Sequence, residues 1–169
     1  MSQALPEIVD AWRMVQSRRH FQGKLPLAAL KRLATDLAAT HGDVVFDLEF
    51  GKDDLGIAFL QVRVSAALPL TCQRTLEVFD LPVQIDSRLG LITREEDEAG
   101  LPAGYEPLMT DGALRLADVI EDELILAVPV VPVKPGTEHV QQSWGGDVEA
   151  ETPVKPNPFT ALKQMKISR

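Results

Sequence analysis

LADVIEDELILAVPVVPV, residues 116–133, sets Leu116, Val119, Ile120, Leu124, Ala127 and Val128 at helical spacing on one apolar stripe. Asp118, Glu121, Asp122 and Glu123 crowd the first half, where negative charge suits the positive end of the helix dipole. Pro129 stops the helix and Pro132 holds the following chain extended. At about 1.5 Å per residue, a helix over 115–128 is about 20 Å long, enough to lie across a sheet. Ile125 and Leu126 widen the apolar surface, which predicts a mostly buried helix with a solvated acidic edge. The same acids, Glu121, Asp122 and Glu123, also read as a patch that receives a basic partner.

The sheet this helix needs is found upstream. In 43–50, Val44, Phe46, Leu48 and Phe50 alternate with Asp43, Asp47 and Glu49, the signature of a half-buried strand. Residues 53–56 turn the chain, and 57–68 resume the alternation through Leu60, Val62, Val64, Ala66 and Leu68. After a turn at 69–75, residues 76–86 return as a third strand, with Pro82 marking an edge, a bulge or a break. Short turns between sequential strands predict an antiparallel meander. Nearer the N-terminus, 6–18 reads as a short helix and 21–25 as a short extended piece. Leu27, Leu30, Leu33, Ala34 and Leu37 predict a further helix over 26–39. Residues 90–112, rich in Gly, Pro and acids, read as a long and partly mobile surface loop. The expected architecture is therefore α+β: a small curled antiparallel sheet over about 43–88, packed with two or three helices. One domain spans 1–133, a flexible linker 134–156, and a short C-terminal helix or tail 157–169. Asn157 caps that helix and Phe159 and Leu162 give its apolar face.

The chain of 169 residues carries a formal charge of −8, unevenly spread. Residues 1–35 hold six basic residues against two acids, and 153–169 hold four basic residues and no acid; the acidic excess lies between them. The molecule as a whole is repelled by membrane and nucleic-acid phosphates, while its two ends are not. No membrane and no DNA partner is expected. The single cysteine, Cys72, forbids an intrachain disulfide, and no basic-then-apolar leader pattern opens the sequence, so the expected location is cytoplasmic.

Candidate chemistry is sparse. A zinc knuckle at 72–75 needs a second thiolate, and Thr75 stands there. A nucleophilic Cys72 needs a base that the sequence does not identify. His139 lies beside Glu138 in the linker and reads as solvated. The run 95–98 lacks the alternating ligands and central glycine of a calcium loop. No glycine pattern fits a phosphate cradle. Catalytic residues, metal ligands and cofactors are thus expected to be none. The electrostatic candidates for RNA are Arg13, Arg18, Arg19, Lys24, Lys31 and Arg32, with Trp12 and Phe21 as stacking surfaces, and Lys163 and Lys166 at the other end.

Several segments then fall together. Cys72-Gln73-Arg74, the stretch 103–107 (AGYEP), the helix and exit 121–133 (EDELILAVPVVPV) and the tail 155–162 (KPNPFTAL) resemble, in this order, the YceD family of large ribosomal RNA subunit accumulation proteins. Phe21-Gln22-Gly23 resembles its N-terminal part. The resemblance implies a cytoplasmic, non-enzymatic factor needed for 23S rRNA accumulation. Its family pattern often has a second cysteine where this chain has Thr75, so a metal or redox role does not carry over. Two partners are left open: 23S rRNA or its precursor, met by the basic ends, or a basic ribosomal or assembly protein, met by the acidic surface.

Overall fold

Alternating apolar and polar residues make a sheet the dominant element of the computed structural model, which describes residues 5–137. The elements in order are β1 (Val9–Asp10), α1 (Ala11–Gln16), β2 (His20–Pro26), 3-10 turns at Leu27–Ala29 and Leu33–Thr35, β3 (Asp43–Lys52), β4 (Ala58–Thr71) and β5 (Val78–Ile92). A third 3-10 segment (Glu95–Gly100), β6 (Glu106–Met109), β7 (Ala113–Leu114) and α2 (Leu116–Ala127) follow. Five strands form one sheet in the order β2-β3-β4-β5-β6, and β1 pairs with β7 separately. The meander β2-β3-β4-β5 is antiparallel; β6 joins β5 in parallel. Pro82 sits where β5 has no second neighbour, because β6 reaches only Leu89–Ile92, and such an edge is where proline is tolerated.

One face of the sheet is the core. Phe46, Leu48 and Phe50 of β3 and Leu60, Val62 and Val64 of β4 are buried there together with Ala11 and Val15 of α1, and with Leu116, Val119, Ile120 and Leu124 of α2. The helix expected over 115–128 forms as Leu116–Ala127 and buries Leu116, Val119, Ile120 and Leu124, while Leu126, expected to widen the buried surface, faces solvent.

The expected small sheet with two or three helices is not what the chain builds. The sheet starts at residue 20 rather than 43 and ends at 109 rather than 88, and strands dominate the described residues. The segment 26–39 contains no α-helix. Leu27, Leu30 and Leu33 are all buried, but a spacing of three serves 3-10 turns as well as an α-helix. Leu30 is turned out of helical geometry at φ −91° and ψ 86°. Several backbone groups of the segment bond outside it: Ala38 N–H donates to Pro69 C=O at 2.8 Å, and Arg32 and Leu33 donate to the Glu121 carboxylate. The loop expected at 90–112 is shortened at both ends, with 93–105 and 110–112 left outside the strands. β5 takes 90–92 and β6 takes Glu106–Met109, and Leu101 packs so closely over Gly90 that a Cβ there would lie 2.6 Å from Leu101 Cδ2. The expected linker and tail, 134–156 and 157–169, lie outside the described residues beyond 137.

Candidate functional site

The outer face of the sheet is a grid of cross-strand rows. His20, Glu49, Gln61 and Arg88 make one row; Gln22, Asp47, Arg63 and Asp86 the next; Lys24, Val45, Ser65 and Gln84 the third. Arg63 stands among Asp47, Asp86 and Glu49 at 3.4, 3.7 and 3.9 Å. His20 Nε2 lies 2.9 Å from Asp47 Oδ2. These rows floor a shallow groove of about 470 Å³ lined by Val45, Asp47, Arg63, Ser65, Gln84 and Asp86.

One end of this face is covered. Phe59 lies over Gly51, and the Arg88 guanidinium stacks 4.7 Å from the Phe59 ring and 5.7 Å from that of Tyr105. Arg88 Nε donates to the buried Gln61 at 2.7 Å, and Tyr105 O–H donates to Asp53 at 2.8 Å. That hydrogen bond is the main reason the Asp53 carboxyl is held below the usual range. Burial, then the same bond, pushes the Tyr105 phenol up. The AGYEP stretch is therefore a structural cover, held by one phenol and one stacked guanidinium.

Cys72 opens the turn into β5 and is fully buried. Its Sγ accepts N–H bonds from Lys134 at 3.4 Å and Thr75 at 3.5 Å. The bond from Lys134, then one from the Thr75 side chain, lowers the thiol to about 6. Gln73 N–H donates to Pro132 C=O, Arg74 Nη1 to Thr137 C=O, and Lys134 Nζ meets Glu77 at 3.0 Å. The Cys72-Gln73-Arg74 motif thus clasps the chain leaving α2. Leu76, at φ +59°, completes the turn. Among the described residues no group of three or more His, Cys, Asp or Glu is placed to hold a metal ion.

The acids of α2 are placed differently from a solvated edge. Glu121 is 5% exposed and Glu123 9%. Glu121 Oε1 accepts the N–H groups of Arg32 and Leu33 at 2.7 and 3.1 Å, and its Oε2 accepts Arg32 Nε at 2.9 Å. Arg32 Nη1 reaches Asp122 at 2.6 Å. These two carboxylates, Glu121 first, raise the Arg32 pKa further. Glu123 accepts Ser87 O–H at 2.7 Å, and burial pushes its carboxyl up. Arg32 and the acidic triplet, read separately from the sequence as ligands for different partners, meet each other here. Of the triplet, Asp122 faces solvent.

None of the other N-terminal cations forms an ion pair with these acids. Asp10 caps α1 by accepting Arg13 N–H at 3.0 Å. Arg18, at φ +47°, turns the chain from α1 into β2, and Arg19 holds β3 by accepting Phe50 N–H through its carbonyl. Lys24 stands on the outer face of β2, the free edge of the sheet, and Lys31 between the two turns beyond it. Arg13, Arg18, Arg19, Lys24 and Lys31 are all exposed, and none forms an ion pair with a described residue. Arg32, Arg63, Arg94, Arg115 and Lys134 are engaged by carboxylates. Phe21 is buried, with the Arg19 guanidinium 5.8 Å from its ring, and Trp12 is half-buried against the core. Lys163, Lys166 and His139 lie outside the described residues. No helix among the described residues is long and apolar enough to cross a membrane.

Comparison with known proteins gives concordant matches. Residues 60–166 match a family model described as "Large ribosomal RNA subunit accumulation protein YceD". A Haemophilus influenzae protein of the same description is 30% identical over 168 residues, which covers 96% of this chain and 96% of the relative. No solved structure matches.

Proposed function

Since the chain belongs to the YceD family, we propose that it serves the accumulation of 23S rRNA in the large ribosomal subunit by binding, with no bond-breaking of its own. The ligand is 23S rRNA or its precursor. The contact runs along Arg13, Arg18, Arg19, Lys24 and Lys31, with Lys163 and Lys166 of the basic C-terminal stretch as further candidates. One observation supports this above the others: five exposed cations, along α1, the following turn, the edge strand and the 3-10 turns beyond it, have no ion-pair partner among the described residues, in a chain whose net charge is −8. Cations left unneutralised in an acidic protein are available to phosphates, and each phosphate contact releases counterions. Arg32 contributes less than its charge suggests, because Glu121 and Asp122 already hold it.

Crosslinking in growing cells, with RNA and protein both identified, tests the reading. The intact chain should recover 23S precursor fragments, and Arg18→Glu plus Arg19→Glu should lose them and lower 23S rRNA levels. Recovery of a basic ribosomal or assembly protein, with no RNA and no effect of the arginine reversal, refutes it.

A further inference from the structure

On the RNA reading above, we infer that the RNA class this edge takes is a double-helical stem, gripped through its phosphate rows, and not a single strand read through its bases. Proteins that hold single strands stack successive bases on exposed aromatic rings, each worth about 1–3 kcal/mol. A sheet does so from its open face. Among the described residues the open face offers none. The described aromatic residues are Trp12, Phe21, Phe46, Phe50, Phe59, Phe79 and Tyr105; every phenylalanine is buried, and Trp12 and Tyr105 are half-buried.

The two aromatics nearest to serving are already stacked. Arg19 lies over Phe21, and Arg88 over Phe59. The centre of the same face is occupied by Asp47, Glu49 and Asp86 around Arg63, so a phosphate chain laid across the strands meets carboxylates. Exposed cations with no ion-pair partner among the described residues gather at the rim, at Arg13, Arg18, Arg19 and Lys24.

That rim is stiff. Arg19 is tied to β3 through its carbonyl, and Lys24 is held in register opposite Val45. At about 3.3 Å per strand residue, Lys24 on the outer face stands about 16 Å along the edge from Arg19, whose guanidinium lies over Phe21 on the core side, so the charges flank the edge. A fixed row of charges with no stacking platform gains most from the ligand with the densest and most regular phosphates. A double helix carries about twice the axial charge density of one of its strands.

Fluorescence anisotropy with the full chain decides the matter, using a perfectly paired RNA duplex and each of its separated strands. The duplex should bind at least about tenfold more tightly. Its log affinity should fall against log salt with a slope of about −4 to −5, the release expected for five phosphate contacts. Arg18→Glu with Arg19→Glu and Lys24→Glu should abolish the preference at an unchanged melting temperature. Trp144→Ala with Phe159→Ala, which removes the aromatics outside the described residues, should leave duplex binding intact. Single strands bound as tightly as the duplex, or duplex binding lost with Trp144 and Phe159, overturn the inference and leave RNA binding standing. Failure of duplex and strands alike at low salt overturns the RNA reading and this inference with it.

Discussion

Replacing Glu121 by alanine should destabilise the domain far more than replacing its visible partner, Arg32. Glu121 is an acid on a helix that looks amphipathic, and from outside its interaction is an ion pair. An ion pair with one half-exposed member is worth little, because water screens it and the freed guanidinium resolvates. The side chain of Arg32 is 52% exposed. The weight lies instead in the two backbone N–H groups, those of Arg32 and Leu33, that donate to Glu121 Oε1. A hydrogen bond to a charged acceptor contributes about 1.5–3 kcal/mol, and a buried donor left without a partner costs about 1–3 kcal/mol. Leu33 is fully buried, so water does not replace the lost oxygen there. Two such bonds give about 3–5 kcal/mol for Glu121→Ala, or a melting temperature lower by roughly 8–15 °C in a domain of this size. Glu121→Gln keeps one acceptor oxygen and should fall between. Arg32→Ala, which leaves both backbone bonds in place, should cost a small part of the Glu121→Ala loss. Urea unfolding followed by far-ultraviolet circular dichroism reads all three. Equal losses in Glu121→Ala and Arg32→Ala would show that the side-chain pair, and not the backbone cap, holds the turns to α2, and the reasoning would fail.

Three further outcomes follow from the geometry. Gly90→Ala puts a methyl group 2.6 Å from Leu101 Cδ2; the cover over the outer face should lift, at a cost of about 1–3 kcal/mol, and proteolysis should reach residues 93–105 first. Tyr105→Phe removes the bond to Asp53 while keeping the ring beside Arg88, so urea unfolding should show a loss of about 1 kcal/mol, with RNA binding untouched. Burial raises the Glu123 carboxyl above its unfolded range, so folding disfavours its charged form. That cost is absent below the unfolded pKa and complete above the folded one. Glu123→Gln should therefore gain thermal stability relative to the parent as pH rises from 4 to 7, and a difference in melting temperature that does not grow over that window would contradict the burial argument.

What could be read from the sequence was what depends on local periodicity. The helix at 116–127 and the meander through 43–50, 57–68 and 76–86 have unambiguous repeats of about 3.6 and 2, and both form, the third strand running on to Ile92. Leu27, Leu30 and Leu33 carry a spacing shared by two kinds of helix. The choice between them fell to a carboxylate 88 residues downstream of Leu33, which no window around the leucines contains. Within the stretch 90–112, the strand segments at 90–92 and 106–109 were hidden for a similar reason. Its glycine and acids signal a loop, but Gly90 is there because Leu101 presses on the backbone, and Tyr105 is there because Asp53 receives its hydroxyl. The N-terminal cations were visible as a cluster. That Arg32 belongs to Glu121, and that Phe21 lies beneath Arg19, required the fold.

The pairing of β1 with β7 and the bonding of Arg32 to Glu121 bear on the order in which a nascent chain matures. Val9 waits for Leu114, and the Arg32 N–H waits for a residue 89 positions later. Contacts of such span form late, after loop-closure entropy has been overcome. A polypeptide emerging from its N-terminus can therefore zip the meander first. It cannot seat its first helix and its leucine turns until α2 has been synthesised and released, so Arg13 and Lys31 join the cations of the edge strand only among the last events of folding.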